Sequence, residues 1–204
     1  MTREALGGCF SPRALEIIIA ANRKQDALPG QICHDEFHFD NNAIEKGFRY
    51  INEQRGYVLA ALLLPGTAAH VSAWIAFGRL LHTAQDFYSH TNYIPLWLDQ
   101  FNGAPRAPRP PEVDPVQKSL LRSPDLRSGK IYLPLDALYF VPFMRNIALK
   151  FLPADSHGKM NLDSPAQGPR FEYARAAAVK RGRHEFDLLK KLLTPEMFAR
   201  FTDL

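Results

Sequence analysis

The stretch Leu81-His82-Thr83-Ala84-Gln85-Asp86-Phe87-Tyr88-Ser89-His90-Thr91-Asn92-Tyr93 carries the clearest chemical signal in the chain. His82, Asp86 and His90 recur at every fourth position, and on an α-helix such neighbours share a face. Two imidazoles and a carboxylate then line one stripe. These nitrogen and oxygen donors suit zinc. Any one pair arises readily by chance. Three on one stripe, with further candidate ligands elsewhere, point to metal.

The other candidates fall into two groups by sequence. Asp26 and His38 join His82 and Asp86. His90 joins the loop carrying His157, Asn161 and Asp163. His82 and His90 lie two helical turns apart, about 12 Å by the rise per residue. They therefore serve two adjacent ions more naturally than one. Two divalent ions about 3.5–4 Å apart form a clamp for phosphoester hydrolysis, in which an aspartate can bridge the ions or take a proton from water.

The elements that must hold these residues read as helices. Ser11-Pro12 is an N-cap followed by a first helical residue, and this helix runs to about Asn22. A ligand-rich loop, Cys33 to Asn42, follows the turn Leu28-Pro29-Gly30. A second helix starts at a cap on Asn41 or Asn42 and breaks at Gly56 or reaches Leu64, where Pro65-Gly66 stops it. Thr67 caps the helix that carries the motif. Apolar residues cover much of its circumference, so it should be central and buried. Gly78 on it costs about 1 kcal/mol of helix propensity relative to alanine, and a close-packed neighbour would offset that. Residues 102–130 hold six prolines and form a long Pro-rich loop excursion with one short helix near Val116 to Arg122. Helix returns at about Leu135 to Phe151, kinked at Pro142, and again from Arg170 to Leu193, where His184 and Glu185 read as a solvated face. No stretch alternates with strand period. The expected fold is all-α, a multi-helix bundle of one domain over residues 1–204, with a metal site at one end.

Bulk properties exclude some functions. The 204 residues are 46% apolar, which rules out disorder, and a net charge of +4 is too small for a stable nucleic-acid partner. That charge tolerates an anionic substrate. Two cysteines, Cys9 and Cys33, allow one bridge and no disulfide framework. The longest apolar runs, Leu15 to Ala21 and Val58 to Leu64, are too short to span a bilayer. Met1 to Glu4 lacks the features of a secretory signal, so the expectation is cytoplasmic as written and secreted if the start lies upstream.

Phe77 through Tyr93 resembles the heterokaryon-incompatibility protein C (Het-C) family, which is similar in turn to zinc-dependent phospholipases C and single-strand-specific zinc nucleases. The resemblance rests on His82, Asp86 and His90, on His38-Phe39-x-Asn/Asp, on Asp26 and on His157 with Asn161-Leu162-Asp163. It implies a helical phosphodiesterase with a zinc cluster. His38 would lie in the first zinc site, and Asp26 would bridge two zincs and orient or deprotonate the attacking water. His157 would bind the second zinc, with Asp163 standing in for the carboxylate that Asn161 lacks. Two zinc ions are expected; the third site of the family lacks its histidine here. The implied substrate is a phosphoester, and at a membrane surface a phospholipid, approached through Trp97, Phe101 and the Pro-rich loop. The alternatives are a nuclease stacking bases on Tyr88 and Tyr93, and a non-enzymatic module whose zinc staples the fold.

Overall fold

A helix apolar on every side has to be surrounded, and the motif helix is. Trp74, Phe77, Leu80, Leu81, Ala84, Phe87 and Tyr88 on it are all buried. The computed structural model describes residues 1–27, 34–139, 141 and 143–204. Among them are twelve α-helices. They are α1 (Thr2–Leu6), α2 (Pro12–Lys24), α3 (Asp35–His38), α4 (Ile44–Leu63), α5 (Thr67–His90), α6 (Tyr93–Asp99), α7 (Lys118–Leu121), α8 (Leu135–Tyr139), α9 (Arg145–Phe151), α10 (His157–Met160), α11 (Arg170–Leu192) and α12 (Pro195–Thr202). No strand occurs among the described residues, and the fold is all-helical as expected. The central α5 packs chiefly on α4 and α2, then on α11.

Local chemistry explains the helix starts. Ser11 caps α2 through its hydroxyl, which accepts from the Ala14 amide at 3.1 Å, with Pro12 in the first turn. The buried stripe of α2 is Ala14, Leu15, Ile18 and Ala21. It meets α5 at Gly78, where a Cβ would strike the Ile18 carbonyl and come within 2.7 Å of Ala21 Cβ. The helix-propensity cost of this glycine is offset by close approach of two backbones, as the sequence suggested.

Of the two ends expected for α4 the later one holds: the helix passes Gly56 unbroken to Leu63, with Leu64 as its C-cap. Other boundaries differ from expectation. Asn41 and Asn42 do not cap α4; Ala43 stands at its N-cap, and both asparagines have positive φ. Gly66, with φ 95°, takes the cap position expected for Thr67, because the chain enters α5 through a left-handed turn. The stretch expected as one kinked helix is two, α8 and α9; Pro142, like the Leu28-Pro29-Gly30 turn and Cys33, lies outside the described residues. Helices α1, α3, α10 and α12 were not expected. Three of these are too short for periodicity to reveal. On α12, Phe201 is fully buried beside Phe10 and Phe77, with ring centroids 5.0 and 5.2 Å away.

Burial corrects further expectations. Glu185 is not solvated: it lies buried, 2.8 Å from Arg181 and 2.6 Å from Arg55. Trp97 is core. Tyr88 and Tyr93 are buried as well, so neither can stack a base. Their hydroxyls donate to the Pro115 and Asp114 carbonyls, each at 2.6 Å. Tyr173 donates to Pro108 at 2.6 Å and the Lys180 ammonium to Val113 at 2.7 Å. These four bonds tie the Pro-rich stretch to the bundle. That stretch also contains α7 and a 3₁₀ turn at Pro110–Glu112.

Candidate metal centre

The C-terminal half of α5 presents His82, Asp86 and His90 toward one end of the bundle, where three other segments meet it. Holding them is an extended run, residues 127–131, that sequence reasoning passed over. The Asn92 amide donates to Arg127 at 2.9 Å, that of Gly129 to His90 at 3.1 Å, that of Asn41 to Gly129 at 2.8 Å and that of His157 to Lys130 at 2.8 Å. The run thereby fastens the end of α5, the 38–42 loop and the start of α10 to one another. A Cβ on Gly129 would lie 2.6 Å from His157 Cα, so only glycine allows this approach.

The 38–42 loop is strained in a way that aims its side chains. Phe39, Asn41 and Asn42 have φ of 61°, 56° and 58°, uncommon values for non-glycine residues. Such conformations persist only where surroundings enforce them, and they cluster at functional sites. Here the enforcing groups are Ser128, whose hydroxyl donates to the Phe39 carbonyl, and Asn41, whose side-chain oxygen accepts from the Ile131 amide at 2.9 Å. Gly47 leaves room for the Phe39 ring. The result places His38 and Asp40, two residues apart, in one buried corner.

Asp26, His38, His82 and Asp86 converge. His38 Nδ1 lies 2.8 Å from Asp86 Oδ2 and 3.3 Å from His82 Nε2. His82 Nε2 lies 3.2 Å from Asp86 Oδ2 and 3.8 Å from Asp26 Oδ1. Two donors each about 2.0–2.1 Å from a tetrahedral ion stand about 3.3–3.4 Å apart, within the range of these separations. A second set, Asp40, His90 and His157, is buried, with one donor atom from each lying within 4.8 Å of the others. His157 Nδ1 is 2.7 Å from Asp40 Oδ1, and His90 Nε2 is 3.1 Å from Asp163 Oδ2. Asn161 is placed to support this set, since its amide donates to Asp163 Oδ2 at 2.8 Å.

The donor chemistry fits divalent cations. His90 Nδ1 can donate to the His38 carbonyl at 3.2 Å, which leaves Nε2 as the nitrogen that a cation would take in place of its proton, the usual support of a ligating histidine. His38 turns Nδ1 to this cluster, and its Nε2 is buried without a hydrogen-bond partner among the described residues. Charges are concentrated too. Burial raises the Asp26 carboxyl, with the Asp86 charge adding to it. Burial opposes charge on Asp86, yet the imidazoles of His82 and His90 outweigh it and hold this carboxyl well below the usual range. Burial likewise opposes charge on His82 and His90. Asp86 outweighs it for His82, and Asp163 with Asp86 for His90, so both titrate above an ordinary histidine.

All the candidates expected from sequence thus meet at one end of the bundle: Asp26, His38, His82 and Asp86 form one group, and His90 and His157 form the other with Asp40, while Asp163 stands beside His90. Asp40 was missed as a candidate. Its signal was present in the run His34 to Asn42, but a spacing of two has no helical meaning, and the turn at Phe39 is what makes it work. The centre opens on a cleft of about 350 Å³ lined by Asp26, His38, Asp40, Asp86, His90, His157, Asn161 and Asp163, with Tyr139 and Arg145 on the wall. Asp26, its side chain 56% exposed, stands at the rim.

Comparison with known proteins places part of the chain. The VWA7 N-terminal domain family matches residues 7–104. Von Willebrand factor A domain-containing protein 7 of Homo sapiens is 37% identical over 88 residues, 43% of this chain and 9% of that protein. Its counterpart in Mus musculus is 36% identical over 95 residues, 44% of this chain and 10% of that protein. The chain thus spans about a tenth of the length of the curated relatives it matches. No solved structure matches. The matched region contains Asp26, His38, Asp40, His82, Asp86 and His90, and stops before His157 and Asp163. These findings overturn the resemblance to the heterokaryon-incompatibility protein C family. The phospholipase C and nuclease assignments built on it fall with it, and the non-enzymatic zinc-stapled module gains no preference. What the chain is similar to is the N-terminal domain of the von Willebrand factor A domain-containing protein 7 family.

Proposed function

We propose that this domain binds a pair of divalent metal ions of the zinc class at the end of its bundle. Asp26, His38, His82 and Asp86 would hold one ion, and Asp40, His90 and His157, with Asp163 beside them, the other. The observation that carries this reading is the convergence of His38, His82 and Asp86 at 2.8–3.3 Å. An ion held there would supply Lewis acidity on the cleft side. The protein's own groups position it: Asp86 orients both imidazoles, the His38 carbonyl orients His90, and the rim carboxylate of Asp26 stays in reach of solvent. Four protein ligands would close the first site, whereas the second, with Asp40, His90 and His157, would keep a position open toward the cleft, and an enzymatic role is proposed for that ion alone. The test is titration of the metal-free protein with zinc. Two equivalents should bind, and His82→Ala should lose at least one of them. Absence of stoichiometric binding, or unchanged stoichiometry in His82→Ala, would refute the proposal.

A further inference from the structure

Arg145, the first residue of α9, stands on the wall of the metal cleft and takes no part in the ligand set. Among the described residues it is the one arginine or lysine lining that cleft. Four carboxylates line it too, and each faces a histidine: Asp26 and Asp86 face His82, Asp40 faces His157 and Asp163 faces His90. None of them forms an ion pair with Arg145, whose guanidinium lies instead over the Tyr139 ring, 4.5 Å from its centroid. That ring is firmly placed. It is buried in a small core with Ala148 and Leu152, and it packs on the start of α10, where a Cβ at Gly158 would come within 3.0 Å of it. Its centroid lies 6.2 Å from that of His157. Arg145 is therefore held on the side of the second ion, the one whose three protein ligands would leave a coordination position open.

Charge indicates what an unpaired guanidinium does there. Two divalent ions would cancel the four carboxylates, and ligating imidazoles are neutral. Arg145 then leaves the loaded cleft with one surplus positive charge. A guanidinium is planar, and its paired N–H groups match a carboxylate through two parallel bonds. A carboxylate also carries the single negative charge that balances the site, whereas a phosphate monoester brings about −1.5 to −2. We propose that the cleft takes a ligand bearing a carboxylate, which Arg145 holds against the Tyr139 wall on the open side of the second ion. This inference rests on the two-ion reading above. The ring beneath the guanidinium keeps it pre-organised, so less side-chain freedom is lost when the ligand arrives.

The test is calorimetric titration of the zinc-loaded protein with acetate, and with methyl phosphate for comparison, after the bound zinc has been counted. The parent should hold two zinc ions and bind one acetate, more tightly than methyl phosphate. Arg145→Gln should keep both zinc ions and weaken acetate by about tenfold to a hundredfold, the usual worth of a hydrogen-bonded charge. Arg145→Lys keeps the charge without the fork and should fall between the two. Matching thermal melts would establish that the variants remain folded. A parent that holds two zinc ions but ignores acetate overturns the inference and spares the metal site. So does parent-like acetate binding by Arg145→Gln. Tighter binding of methyl phosphate, lost in Arg145→Gln, would refute the carboxylate as the ligand class. A parent that takes up no zinc refutes the metal site and this inference with it, so the zinc count tells the two failures apart.

Discussion

Asp86→Asn is the most informative single change at the centre. Asp86 Oδ2 faces His38 Nδ1 at 2.8 Å and His82 Nε2 at 3.2 Å, so one atom sets the geometry of two other proposed ligands. Asparagine keeps the shape and removes the charge. Structural zinc sites are worth about 10–16 kcal/mol. Spread over four ligands, that is about 3 kcal/mol for this one, or roughly a hundredfold to a thousandfold in affinity. Competition against a chromophoric chelator measures it directly. Asp187→Asn is the control, because Asp187 pairs with Arg183 on the surface at 3.3 Å and should leave zinc affinity unchanged. Thermal melts of the metal-free proteins separate lost affinity from lost fold. If Asp86→Asn bound zinc within about threefold of the parent, the convergence of these side chains would not be a metal site.

Two further outcomes follow from the packing. Gly129→Ala forces a Cβ into the His157 backbone, so it should weaken the second ion by about tenfold or more and spare the first; equal weakening of both, or of neither, would contradict the role given to residues 127–131. Glu185→Gln leaves Arg55 and Arg181 without their buried partner and should cost about 3 kcal/mol of stability near neutral pH, measured by urea denaturation. Burial opposes the Glu185 charge, but Arg181 and Arg55 outweigh it and lower this carboxyl below its ordinary value of 4.5. The group's contribution is therefore full above pH 4.5 and is lost as pH falls through the folded-state value. The gap between variant and parent should narrow over that acid range, and a gap independent of pH would refute the linkage.

The helical class and the central position of α5 were legible because periodicity over 24 residues leaves little choice. Gly78 announced its close contact by costing helix propensity in an otherwise apolar helix. The grouping of Asp26 and His38 with His82 and Asp86 was legible in outline, since helix faces and loop ends limit what can meet. Asp40 was not, because its use depends on a left-handed Phe39 that no residue preference signals. Nor was the role of Ser128 and Gly129, whose effect is entirely through long-range backbone pairing. Glu185 misled because a charged residue beside His184 on a long helix reads as solvent-facing until Arg55, on another helix, is brought to it. The family expectation failed for a different reason: a His-x3-Asp-x3-His stripe is a chemical pattern that more than one lineage can carry.

Anomalous diffraction from zinc-loaded crystals, recorded on both sides of the zinc edge, tests the central claim most directly. Two peaks are expected in the cleft, one bounded by Asp26, His38, His82 and Asp86, the other by Asp40, His90 and His157. Zinc found elsewhere, or a cleft without a peak in protein shown to be saturated, would contradict the account.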